Sequence, residues 1–319
     1  VSAGETIGVD LGGTKMLVGV LDGTEVLWER REASTDQSED QLVELLVREI
    51  SEARDARPEV TAVGLGIPAT FDHETGVAVA AVNLPIADLP IRDLVAERVG
   101  LPAFVDNDAN VAALAESLYG AAKGKANVVM LTIGTGIGGG LIIDGEVYRG
   151  ATGAGAELGH VVIQADGPPC QGNCPNHGCV EALASGTALG REAKAAAESA
   201  PGSALGKLLA AGEVVDGKAA TEAALAGDAT AIAVFDLIGS RLGVACSSFA
   251  NIFQPDAIVV GGGVIAAGDL LLEPARRELR ERALNPMNKT PILAATLGND
   301  AGMIGAAALA RTELGKAAG

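Results

Sequence analysis

Cys170, Cys174 and Cys179 fall within ten residues of one another, and His160 stands ten residues before the first. Three soft sulfur ligands at that spacing, with one imidazole, make a closed tetrahedral set suited to a structural Zn²⁺. His177 lies inside the same loop and is a rival for the fourth position. The other reading of clustered thiols is a disulfide framework, but that belongs to small secreted domains with an even number of scattered cysteines. Cys246 sits apart, between Gly243 and Phe249 in an apolar helical stretch, and reads as a small core residue.

Three turns with little side-chain bulk form a second group. Asp10-Leu11-Gly12-Gly13-Thr14-Lys15 places a carboxylate at a strand end, followed by glycines that let backbone N–H groups approach a phosphate. Thr14 and Lys15 add donors, and Asp10 suits a hydrated Mg²⁺, which prefers oxygen ligands. Thr132-Ile133-Gly134-Thr135-Gly136 supplies a second such turn. Gly261-Gly262-Gly263 supplies a third, where a nucleoside can lie on bare backbone. None of them is a Walker loop or a dinucleotide fingerprint, and each alone is an ordinary tight turn. Their order and separation carry the information. At the strand-to-helix junction Asp106-Asn107-Asp108, Asp108 reads either as a helix N-cap or as a general base.

The elements that must position these residues follow from hydrophobic spacing. Strands are expected over 7–10, 15–21 and 25–31, the last two joined by an Asp22-Gly23 hairpin turn. Residues 36–54 carry the helical spacing Leu42, Leu45, Leu46, Ile50, and 60–67 reads as a buried strand. A short strand over 103–105 runs into a helix over 108–119, and a further strand begins near Asn127. There the opening pattern returns: a strand over 128–133, a glycine turn, a second strand and Asp144-Gly145 set Thr132 on Asp10 and Gly134 on Gly12. This predicts a duplicated α/β architecture with a ligand between the halves. The boundaries expected are a small domain over 1–120 and a larger one, with the metal loop, over 121–300. A small-residue helix over 301–319 packs back on the first, and no low-complexity linker separates the two.

With 319 residues, 48% of them apolar and 20% charged, the chain can fill the cores of about two domains. Its 23 basic against 41 acidic residues leave a net charge of −18, which opposes nucleic acid and anionic membrane surfaces. Aromatics at 3% exclude base-stacking platforms. Apolar runs such as 257–267 are broken by glycines, and residues 1–5 lack the basic and apolar regions of a leader, so a cytoplasmic protein is expected.

The three turns in this order, with the glycine-rich run from Ile133 through Gly136, Gly140, Gly150 and Gly159 to His160, resemble the ROK family of actin-like, hexokinase-type ATPases. The resemblance covers essentially the whole chain. It implies an actin-like (ribonuclease H-like) duplicated fold with an interdomain cleft, and ATP-dependent phosphorylation of glucose at its 6-hydroxyl. It also implies two phosphate motifs, at Asp10, Gly12, Gly13, Thr14 and Lys15 and at Thr132, Gly134, Thr135 and Gly136, and an adenosine motif at Gly261, Gly262 and Gly263. Asp108 takes the role of general base, Asn107 contacts neighbouring hydroxyls, and Glu157, His160 and Glu181 hydrogen-bond the sugar. His160, Cys170, Cys174 and Cys179 match the family's zinc set, with two extra residues between the first two cysteines. A homo-oligomer, dimer or tetramer, is implied.

Two departures bear on the acceptor: Ala69 stands where the family usually has glycine, and the tryptophan often found after a segment like Asn83-Leu84-Pro85 is absent. N-acetylglucosamine, N-acetylmannosamine, mannose and fructose are therefore alternative acceptors, and polyphosphate is an alternative donor. A sugar-responsive repressor is the rival class. It is disfavoured because such repressors carry an N-terminal DNA-binding domain, whereas the first phosphate turn here begins at Asp10.

Overall fold

The computed structural model describes residues 4–35, 37–81 and 83–317. Asp36, where the helical spacing begins, lies outside the described residues, as do residues 1–3 of the expected leader-free start and the last two of the helix expected over 301–319. The chain forms two compact units: Val1–Gly124 with Gly140–Ala156 and Leu297–Gly319, and Lys125–Gly139 with Glu157–Thr296.

In chain order the elements are β1 (Thr6–Leu11), β2 (Lys15–Asp22), β3 (Glu25–Ala33), α1 (Glu39–Ala56), β4 (Val63–Ile67), β5 (Ala69–Asp72), β6 (Val77–Ala81), β7 (Ala87–Leu89), α2 (Ile91–Val99), β8 (Ala103–Asn107) and α3 (Asp108–Leu118). There follow β9 (Val128–Ile133), β10 (Ile137–Ile143), β11 (Glu146–Val147), α4 (Val180–Ala184), α5 (Gly186–Ser199), α6 (Ala204–Ala210), α7 (Gly217–Leu225), α8 (Ala229–Phe253), β12 (Ala257–Gly261), α9 (Asp269–Arg282), β13 (Ile292–Ala294) and α10 (Ala301–Ala317).

The duplication read from the hairpins is present in the sheets. One has the order β3-β2-β1-β4-β8 and the other β11-β10-β9-β12-β13, the same topology twice. In the first, β1, β4 and β8 run parallel while β2 and β3 run antiparallel. Asp10 pairs with Gly66 as Thr132 pairs with Gly261, so both glycine turns leave the carboxyl end of a central parallel strand. Ligands of parallel α/β sheets gather at those ends.

The two faces of the first sheet are covered differently. Ile7, Val9, Leu65 and Val105 point to one face and join Leu42, Leu46 and Ile50 of α1 and Ile91 and Val95 of α2 in an aliphatic core. On the other face Gly19, Gly8 and Gly64 form one row across β2, β1 and β4. Helix α10 lies directly on that row: a methyl group at Gly8 would overlap the carbonyl of Met303, and one at Gly64 that of Ala306. Gly305 of α10 gives the same clearance to the Val111 carbonyl of α3. Glycine in a strand weakens the strand itself, and here it permits close approach of backbone to backbone.

Residues 140–156 group with the first unit, although the sequence boundary near 120 put them in the second. Their anchors there are local and specific. Gly140 sits against the Ala109 carbonyl, Gly153 against that of Phe71, and Arg149 pairs with buried Asp106. The small antiparallel sheet β5-β6-β7 has no counterpart in the sequence reading, because its strands are only 4, 5 and 3 residues long.

In the second unit α8 is long and apolar enough to cross a membrane by length and composition, but half of its apolar window is buried. It packs on α4, α5, α7 and α9, the setting of a core helix. Cys246 is fully buried on it, as expected, and burial pushes its thiol up to about 12.

Gly64→Ala is expected to lower stability by ~1–3 kcal/mol or more, the usual cost of overpacking, read as a fall in Tm. Gly202→Ala, where an added methyl meets nothing within 4 Å, is expected to stay within ~0.5 kcal/mol of wild type. Equal stabilities for the two variants would remove the special role of the glycine row.

Candidate active site

Asp10, the one residue of β1 that is not fully buried, points to the α10 side of the sheet, against Gly302 in the first turn of that helix. Burial, and then the charge of Asp108, push its carboxyl up to about 6, with Lys15 opposing. The turn beyond it is closed by Gly12 N–H donating to the Lys15 carbonyl at 2.8 Å. Ser34, which no sequence signal marked, donates its hydroxyl to the Gly12 carbonyl at 2.6 Å. Thr14 and Lys15 are exposed, and Gly13 lies close to the Asn83 backbone.

Asp106, Asn107 and Asp108 sit where β8 becomes α3. The N-cap of α3 is Asn107, not Asp108: the Asn107 side chain accepts Ala109 N–H at 2.9 Å. Asp108, the first helical residue, accepts the same N–H at 3.0 Å. Asp106 is buried and fully engaged, accepting from Asn107 N–H at 2.8 Å, Asn110 Nδ2 at 2.8 Å and Arg149 Nε at 2.7 Å. Two of those bonds clamp the start of α3, so Asp106 orients the Asn107–Asp108 step. Sequence reading missed its partner, because Arg149 is more than forty residues away and nothing in the spacing points to it.

In the second unit the second turn is closed by Gly134 N–H donating to the Gly136 carbonyl at 2.9 Å. Gly134 and Thr135 line a cavity of about 910 Å³ together with Gly186 and Thr187 at the start of α5 and Gly263 and Val264. Thr132, Gly136, Gly261 and Gly262 are not among its lining residues. Gly261 is buried at the end of β12, Gly262 at φ 86° lies against the Ile133 backbone, and Gly136 faces the Glu181 carboxylate. Leu189, Val215 and Val264 make apolar wall, and Arg191, Lys194 and Lys218 line the cavity together with Asp216 and Glu222, Arg191 paired with Glu192 and Lys218 with Glu222. The three cations escaped sequence reading because they come from α5 and α7, whose packing around the glycine turns is a tertiary fact.

His160, Cys170, Cys174 and Cys179 bring their donor atoms within 4.8 Å of one another. Cys170 Sγ lies 3.5 Å from His160 Nδ1, and Cys174 Sγ lies 3.9 Å from Cys179 Sγ. A tetrahedron built on metal–sulfur bonds of ~2.3 Å and metal–nitrogen bonds of ~2.0 Å has edges of about 3.5 and 3.8 Å, so the donor set fits Zn²⁺. His177 lies outside the group and donates Nδ1–H to the Gly167 carbonyl at 3.3 Å. With no cation, burial and the neighbouring Cys179 and Cys174 thiols push Cys170 up to about 12.

His160 turns its other nitrogen, Nε2, toward Glu157, whose carboxylate is 3.9 Å away and mostly exposed. Glu181 is less free than the sequence reading implied. Its Oε2 accepts Ile137 N–H at 2.8 Å and its Oε1 lies 3.8 Å from Cys170 Sγ.

A model of the ROK family matches residues 6–313. The chain belongs to the ROK family. It is 36% identical over 97% of its length to the glucokinase of Thermotoga maritima, covering 98% of that protein. It is 38% identical to the glucokinase of Streptomyces coelicolor, covering 97% of this chain and 98% of that one. The crystal structure of a ROK family glucokinase from Streptomyces griseus with glucose and AMPPNP matches at a TM-score of 0.83 and 38% identity, over 97% of this chain and 100% of that one. The duplicated α/β architecture is thus the actin-like fold of ROK kinases.

The raised Asp10 makes the pH dependence of stability testable. The fold favours its neutral form, so that contribution is fully present below the ordinary value of 3.8 and is lost as pH rises through about 6. At pH 7.5 ionised Asp10 then costs up to ~3 kcal/mol. Asp10→Asn is expected to raise Tm at pH 7.5, with the gain vanishing below pH 4; equal Tm values at pH 7.5 would contradict the assignment.

Proposed function

We propose that this ROK protein transfers the γ-phosphoryl group of ATP to the 6-hydroxyl of glucose. The names of its relatives and the glucose and AMPPNP bound to the Streptomyces griseus enzyme support this reading. The observation that carries it is the pair of carboxylates Asp10, near the end of β1, and Asp108, at the start of α3, close enough for one charge to raise the other. Phosphoryl transfer asks for such a pair: one group to hold a cation beside the phosphates and one to accept the proton of the attacking hydroxyl.

Asp108 is assigned as the base. Asn107 holds the α3 cap in its place, and Asp106 fixes the peptide between β8 and α3. Asn107, Glu157, His160 and Glu181 are assigned to sugar hydroxyls, since a carboxylate accepts from two adjacent hydroxyls and so fixes the ring face. The Gly12–Lys15 and Thr132–Gly136 turns are assigned to the phosphates, and Gly261, Gly262 and Gly263 with the 910 Å³ cavity to adenosine. Asp10 would hold Mg²⁺, which when bound neutralises charge on the phosphates; its raised carboxyl is that of a group awaiting a cation. The Cys₃His cluster would hold a structural Zn²⁺ that keeps the His160 imidazole in one orientation.

A coupled assay with ATP-Mg over a panel of hexoses and N-acetylhexosamines is expected to give the highest kcat/KM with glucose; a higher value for another sugar would replace the acceptor. Asp108→Asn is expected to cut turnover by about 10²–10⁴-fold while glucose binding survives. Near-normal turnover in the folded variant would sink the base assignment. Elemental analysis is expected to find one zinc per chain, with a lower Tm after chelation. Metal-free protein that keeps its Tm and activity would refute the structural role.

A further inference from the structure

The polar side chain of Gln171 in the metal loop is not among the clustered donors. Gln171 follows the first cysteine, and its Nε2 donates to the Thr135 carbonyl at 3.4 Å and to Ser185 Oγ at 3.1 Å. The Thr135 carbonyl also accepts the Thr187 hydroxyl at 2.8 Å. Ser185 is the N-cap of α5, accepting Ala188 N–H at 3.2 Å, and the next residue, Gly186, donates its N–H to the Gly134 carbonyl at 2.8 Å. One amide nitrogen therefore touches both the turn and the helix start that line the cavity.

A peptide unit is planar, and its C=O and the following N–H point in opposite directions. Holding the Thr135 carbonyl thus directs the Gly136 N–H the other way. The Thr135–Gly136 unit needs such a clasp because glycine flips between backbone conformations at little cost. We infer that Gln171 is a positioning residue for the nucleotide phosphates: it locks the Thr135–Gly136 peptide and the α5 N-cap, carrying the order of the metal loop into the phosphate turn. Glu181, between Cys170 and the Ile137 N–H, provides a parallel connection from the same loop. The inference rests on the reading of this turn as a phosphate site.

Gln171→Met keeps length and removes both donated bonds. Hydrogen exchange of the variant is expected to show faster exchange at the amides of 134–137 and 186–188, with zinc content and protection elsewhere as in wild type. A non-hydrolysable ATP analogue with Mg²⁺, titrated without sugar, is expected to bind ~3–10-fold more weakly, as for one lost hydrogen bond. KM for ATP should rise by a similar factor while KM for glucose does not move. Thr187→Val, which removes the other clasp without touching the metal loop, should weaken the analogue likewise. Wild-type exchange and wild-type affinity in Gln171→Met would overturn the inference, as would loss of zinc from it. If the wild type binds no nucleotide and phosphorylates no sugar, the proposed function fails, and faster exchange in Gln171→Met still supports the clasp.

Discussion

The first unit depends on a contact between backbones. Gly19, Gly8 and Gly64 strip one row of the sheet of side chains, and α10 settles onto it, with Met303 over Gly19 and Gly8 and Ala306 over Gly64, at distances that a Cβ would forbid. Dispersion between close-packed atoms, summed over the row, replaces the aliphatic interdigitation used on the opposite face. The same approach puts Gly302 against the Asp10 carboxylate and Gly305 against α3, the helix that begins with Asp108. The placement of both carboxylates thus follows from where α10 can lie.

That placement has an electrostatic cost. Asp10 is partly withdrawn from water and feels Asp108, so its ionised form is disfavoured in the fold. Asp106 shows the opposite solution: it is more deeply buried, but three donors including Arg149 compensate it. Two carboxylates on one sheet row, with Gly66 between them, thus stand in different surroundings: one is compensated by three donors and one is left with a raised carboxyl.

In the second unit the corresponding economy is in hydrogen bonds. The carbonyls of the glycine turn after β9 are satisfied by Gln171, Thr187 and Gly186. The metal loop supplies part of that backing. The loop that carries the cysteines therefore lies next to the turn that lines the cavity.

The sequence alone determined whatever depends on local spacing. The hairpin glycines, the helical stripe of α1, the repeated strand–turn–strand and the three clustered cysteines are each contained in a short window, where covalent geometry decides which residues can meet. The fourth member of the cysteine–histidine cluster needed the fold, since His160 and His177 are both within reach along the chain and only the path of the loop brings His160 to the three thiols. The cap of α3 likewise passed to Asn107 because its extended backbone aims the side chain at Ala109, a one-residue shift that composition does not reveal. Arg149 on Asp106, the cations around the cavity and the return of 140–156 to the first unit were decided by tertiary structure alone. Those contacts join residues far apart in sequence, and their energy comes from burial and charge pairing that exist only once the sheets have formed.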